Sequence, residues 1–207
     1  MAARERSALT DLAEQLGPDA PTLCEGWAVR DLAAHLVLRE SSPLALGTVV
    51  RPLAGAMERE RVRRSRGDFG ALVERLRSGP PRLSPFGVPG LDKVLNSTEF
   101  FIHHEDLRRA QPGWEPRALP SGVQDALWRT VKGAGRLAVI RVPVGVVAER
   151  PSTGERLTLK GGSPSVVVRG EPGEVLMYIT GRRGHASVEL EGPEEAQAAL
   201  AAARLGV

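Results

Sequence analysis

Glu99 and His103 stand four residues apart in the segment NSTEFFIHHEDLRR, a spacing that on a helix stacks both side chains on one face, where two metal ligands could point the same way. At about 100° per residue, Leu95, Glu99, Ile102, His103 and Asp106 share roughly a third of the helix circumference, while His104 points away. Burying carboxylates and an imidazole beside Leu and Ile is costly unless they are paired or hold a metal. A divalent ion would resolve the conflict. The third candidate ligand is His35, at the border of the apolar face made by Val29, Leu32, Ala33, Leu36 and Val37, with Asp31 one turn earlier and placed to orient its imidazole. Two facing helices of a bundle can bring the three together. Two His and one Glu match catalytic zinc, which keeps positions open for water or substrate. The same set also accepts nickel, iron or manganese. Asp106 would then orient His103 or add a ligand. The plainer alternative makes His35 a half-buried helix histidine, Glu99 and His103 an intrahelical pair, and Asp106 an ion-pair partner of Arg109.

Helices must carry these groups, and the hydrophobic pattern supplies them. A period of 3.6 predicts helices over Ala3 to Leu16, ended by Gly17-Pro18, and over Ala28 to Arg39. Pro52 to Arg77 reads as one or two helices broken near Gly67-Asp68, and the Pro-rich Ser78 to Gly90 as irregular. Leu91 to Arg109 is the helix bearing Glu99 and His103, and Ser121 to Val139 a further helix with Ser121 as its cap. Near Arg141 the texture changes. VGVVAER, ERLTLK, SVVVRG and HASVELEG are short, β-branched and separated by Gly, Pro and Ser, so they predict strands, interleaved with helices at Glu174 to Thr180 and Pro193 to Arg204. The expectation is an α+β chain: a helical bundle over 1–140 and a small α+β domain over 141–207.

Composition narrows the partners. Of 28 Lys and Arg residues 25 are Arg, yet the net charge is only +3, and eight aromatics offer little for base stacking. Nucleic acid is not the expected partner. The single cysteine, Cys24, excludes an internal disulfide framework and a Cys-rich zinc module, and fits a reducing cytoplasm. The N-terminus lacks an apolar signal core, and the most apolar region, Gly135 to Ala148, is interrupted by Arg136, Arg141 and Pro143, so no membrane span is predicted. Cys24, at the entrance to the second helix, reads as a small buried residue beside Trp27 rather than an activated thiol. The run MERERVRRSR reads as a solvated helix.

TLCEGWAVRDLAAHL, followed about sixty residues on by TEFFIHHEDLRRAQPGWEPR, resembles the mycothiol-dependent maleylpyruvate isomerase family within the DinB-like metal-binding superfamily. The resemblance implies a DinB-like four-helix bundle in which His35, Glu99 and His103 bind a divalent ion, usually zinc. The tail from Gly170 to Val207 resembles the family's small C-terminal domain, related to sterol-carrier proteins. Mycothiol as the thiol cosubstrate and an actinobacterial, cytoplasmic setting follow from the same resemblance. HHEDLRRAQPGW looks like a distinct branch, so the likeness speaks more to the metal site than to the substrate.

An ion on two His and one Glu has positions left for a low-molecular-weight thiol, whose pKa it would lower from roughly 8.5 toward or below neutrality. In an isomerase the thiolate would add to an activated cis double bond, allow rotation and leave. In a transferase it would stay attached. Both begin with attack on a small electrophilic or anionic molecule, and Arg182 in TGRRG is a candidate for binding an anionic substrate. The alternative on the same scaffold is a non-catalytic metal-binding or small-ligand-binding module.

Overall fold

A computed structural model describes residues 1–42, 51–80 and 91–206. The chain divides into two compact units, Met1–Trp114 and Glu115–Val207.

The first unit is helical: α1 (Ala2–Leu16), α2 (Val29–Ser41), α3 (Arg51–Ser65), α4 (Phe69–Ser78) and α5 (Leu91–Arg109). Each stops or starts where local chemistry requires. Gly17, at φ 82°, closes α1 and donates its N–H to the Ala13 carbonyl. Asp68 caps α4 by accepting from the Ala71 N–H at 2.5 Å, which is why the helical stretch breaks at Gly67-Asp68. The N-cap of α2 is Ala28, which has no side-chain acceptor; Asp31, three residues on, accepts from the Ala28 N–H at 3.1 Å and satisfies the exposed end from inside. Leu9 and Ala13 of α1, Leu32, Leu36 and Val37 of α2, Leu72, Val73 and Leu76 of α4, and Phe100 and Leu107 of α5 form one buried cluster. Burying residues of this size stabilises by roughly 1.5–3 kcal/mol each before the entropy of ordering is subtracted. That core fixes α2 and α5, the two helices that carry the candidate ligands. Most of the Pro-rich segment expected to be irregular falls at 81–90, outside the described residues.

In the second unit α6 (Ser121–Ala138) precedes a four-stranded sheet of order β2-β1-β3-β4, with β1 (Gly145–Arg150), β2 (Glu155–Lys160), β3 (Ser165–Arg169) and β4 (Glu189–Glu191). β1 runs antiparallel to β2 and parallel to β3, and β4 returns antiparallel to β3. α7 (Pro172–Ile179) and α8 (Glu194–Ala202) accompany the sheet, α8 against β3. The mixed helix and sheet composition agrees with the expected α+β class.

Two expectations are corrected. The change of texture near Arg141 marks the onset of strands but not the division of the molecule, because α6 packs on α7 and β2 and belongs to the second unit. Gly135 shows how closely: a Cβ there would stand 3.1 Å from Leu159 Cδ2 and 3.3 Å from Ile179 Cδ1. Ser121 does not cap α6; Pro120 precedes the helix with φ −56°, and Ser121 is the first helical residue.

Candidate functional site

α2 and α5 bring His35, Glu99 and His103 together so that one ligand atom from each lies within 4.8 Å of the others. Glu99 Oε2 is 3.3 Å from His103 Nε2, one helical turn along α5. The His35 and His103 rings meet edge to face, their centroids 5.5 Å apart at 72°. His35 Nδ1 is buried and has no hydrogen-bond partner among the described residues. Such an atom is costly to leave unsatisfied, and a cation is one group that would satisfy it. Neutral imidazole and carboxylate are also the donors a divalent ion of zinc type prefers, so the residues fit the ion their spacing implies.

Asp106 lies behind His103. Its side chain has no exposure, and its Oδ2 stands 2.9 Å from His103 Nδ1. With Nδ1 donating to Asp106, the other ring nitrogen faces Glu99. Burial opposes a charge on His103, but the bonds to Asp106, Cys24 and Glu99 outweigh it and hold the imidazole pKa well above its ordinary value. Burial also works against the Glu99 carboxylate, and the hydrogen bond from His103 with the charges of His103 and Arg39 brings its pKa down to about 2. Arg39 Nε is 3.7 Å from Glu99 Oε2. His35 moves the other way: burial, then the neighbouring His103 charge, push it down to about 4, so it is neutral near pH 7. A neutral donor, a carboxylate and an oriented imidazole thus converge.

Asp31 does not orient His35. Besides the Ala28 N–H it accepts from Arg61 Nη1 at 2.5 Å, and Arg61 lies over the Trp27 ring, 4.7 Å from its centroid, while Trp27 packs on His35 at 5.1 Å. Its link to the site runs through two side chains, because Asp31 occupies the first turn of α2, where free N–H groups compete for it. Burial raises its pKa, and the Ala28 N–H and Arg61 outweigh that and lower it overall. A lowered folded pKa means stability that is present above the unfolded pKa of about 3.9 and lost as pH falls through the folded value. Asp31→Asn is therefore expected to cost about 1–2 kcal/mol in urea unfolding at pH 7. Its difference from the parent should shrink as pH falls below about 4 and close only once pH passes below the lowered folded pKa.

The remaining candidates sort clearly. Glu105 pairs with Arg109, 2.5 Å from its Nε, and with Arg108, 3.0 Å from its Nη1, with no exposure of its side chain. His104, off the ligand stripe, pairs instead with Glu5 at 2.8 Å. Arg182 lies in the second unit, its Nη1 donating to the Thr180 carbonyl at 2.8 Å. Cys24, beside Trp27 as expected, also approaches the site, which its sequence context does not indicate. It is half-buried, and its Sγ approaches Asp106 Oδ2 at 3.3 Å and His103 Nδ1 at 4.0 Å. The loop that carries it is held by Thr22, whose Oγ1 accepts from the Cys24 N–H and donates to the Trp27 carbonyl, and by the Leu23 N–H on the Asp106 carbonyl. That last tie crosses to α5, and no local pattern announces it.

Residues 2–84 match the family model described as the mycothiol maleylpyruvate isomerase N-terminal domain. The fold is similar to two crystal structures of the mycothiol-dependent maleylpyruvate isomerase, one of them a mutant, with TM-score 0.62 in both cases, 20% and 19% sequence identity, and coverage of 93% of this chain and 92% of theirs. Comparison with curated proteins gives no match. The family match thus covers the helical N-terminal part of the chain, residues 2–84, and the structural likeness extends over the fold as a whole.

Proposed function

We propose that this protein binds a divalent ion, most simply zinc, through His35, Glu99 and His103, and uses it with mycothiol as an S-transferase or isomerase of a small electrophilic or anionic substrate. The observation that carries the reading is the convergence of the three ligand atoms within 4.8 Å, beside a buried His35 nitrogen with no partner among the described residues. An ion bound there supplies a thiolate at neutral pH by lowering the pKa of the cosubstrate's thiol. The chain's own groups prepare for it. Asp106 fixes the His103 ring, Trp27 walls off His35, and Arg39 stands beside Glu99 as a cation that favours negative charge at the site. The family match and the fold likeness support mycothiol and the isomerase type of chemistry. On the same reading the first unit is a DinB-like bundle, the second is related to sterol-carrier proteins, and the protein works in an actinobacterial cytoplasm. No helix among the described residues is long and apolar enough to cross a membrane.

The test is elemental analysis of the purified protein after weakly bound ions are removed, followed by incubation with mycothiol and a cis-configured electrophile such as maleylpyruvate. About one ion per chain and ion-dependent turnover, seen as a trans product or as consumed thiol, are expected. An ion without turnover would assign a binding module instead. No ion, even after reconstitution with zinc, nickel and manganese, would refute the proposal.

A further inference from the structure

His103 belongs to two clusters of ligand-type atoms, one with His35 and Glu99 and one with Cys24 and Asp106, and within each the atoms lie within 4.8 Å of one another. The ring has two different faces. Nε2 looks toward Glu99 at 3.3 Å, and Nδ1 toward Asp106 at 2.9 Å and Cys24 Sγ at 4.0 Å. The two sides differ in what they still need. On the Nε2 side the Glu99 side chain is 34% exposed, and His35, of the same cluster, has a buried Nδ1 with no partner among the described residues. On the Nδ1 side, Asp106 has no exposure and already takes the imidazole and, at 3.3 Å, the Cys24 sulfur.

A carboxylate with no access to water requires donors, and an ionised carboxylate can only accept. The Cys24 thiol meets that need, its Sγ donating to Asp106 Oδ2 at 3.3 Å. Resting on the metal reading above, we infer that Cys24 is a positioning residue for that site. Its thiol donates to Asp106, Asp106 accepts from His103 Nδ1–H, and the relay holds Nε2 toward the ion. Cys24 is thus neither a ligand nor a nucleophile. The backbone bond from Leu23 N–H to the Asp106 carbonyl, at 3.1 Å, places the thiol against the carboxylate it serves. A hydrogen-bonded carboxylate behind a ligating histidine sets the tautomer and orientation of the ring, and its loss typically weakens metal binding 10–100-fold. A weak thiol donor one step further back should matter less.

Cobalt(II) titration of the full chain, the C24S and C24A variants and the parent compared by the visible absorption of the bound ion, tests this. Thermal melts confirm that each variant is folded. Cys24→Ala is expected to bind cobalt about three- to tenfold more weakly with an altered ligand-field spectrum, while Cys24→Ser, which keeps an O–H donor, stays close to the parent. Parent spectra should lack the near-ultraviolet thiolate-to-cobalt band. That band in the parent, lost in both variants, would make Cys24 a ligand and overturn the relay. Unchanged binding in both variants would overturn it too, as would equal weakening in both, which would reduce Cys24 to packing. A parent that binds no cobalt would defeat the metal reading itself, and the relay with it.

Discussion

Glu105→Gln is expected to lower the unfolding free energy by roughly 3–5 kcal/mol, a large part of what a domain of this size has. Gln preserves the shape of the side chain, so the effect isolates the charge. Arg109 is 2% exposed and holds Glu105 through Nε at 2.5 Å, with its guanidinium 4.9 Å from the centre of the Trp114 ring. Arg108 reaches the same carboxylate from one turn away. Without the carboxylate the almost fully buried guanidinium loses the anion held at its Nε, and an arginine cannot escape by losing its proton. Urea denaturation read by tryptophan fluorescence would measure the loss. Adding Arg109→Met should recover part of it, because it removes the buried charge that Glu105→Gln leaves without its carboxylate. Glu74→Gln, in the exposed cluster around Arg77, should change stability by less than about 0.5 kcal/mol. Equal effects at Glu105 and Glu74 would mean that the buried pair contributes no more than an exposed one.

Helical periodicity carried much of this molecule. It placed Glu99 and His103 on one face of a helix bounded by Leu91 and Arg109, as found, and it set His35 on another helix with its apolar face inward. What it cannot convey is which of several neighbouring groups wins a partner. Glu105 and Asp106 stand side by side before Arg109; the i, i+4 residue pairs with its Nε, and Asp106 meets the imidazole three residues before it. Asp31 stands four residues before His35, a spacing that suggests contact, yet the open N-terminus of α2 claimed its carboxylate. Cys24 sits in a loop without periodicity, 79 positions from His103, so its approach to the site is a tertiary fact only. The second unit shows the same limit at larger scale. Composition located the strands, while the allegiance of α6 was decided by packing at Gly135 against Leu159 and Ile179.

His103→Ala should abolish measurable metal binding, with affinity falling by well over about 100-fold, beyond the loss usual for a mere supporting residue. His35→Leu should do the same. The two variants part company in the metal-free protein, and there the argument is one of hydrogen bonds. His103 satisfies Asp106, a carboxylate with no exposure, so its removal leaves a buried acceptor short of its charged partner and should cost about 1–3 kcal/mol or more. His35 brings a buried nitrogen with no partner among the described residues, so a leucine there removes an unsatisfied group while still filling space against Trp27. The metal-free His35→Leu protein should be as stable as the parent or more so. Zinc should then raise the melting temperature of the parent alone, because only the parent couples ion binding to the folded state. Isothermal titration with zinc, paired with thermal melts with and without chelator, reads both quantities. If His35→Leu destabilised the metal-free protein as much as His103→Ala, His35 would be an ordinary packed histidine, and the case for an ion between α2 and α5 would lose its main support.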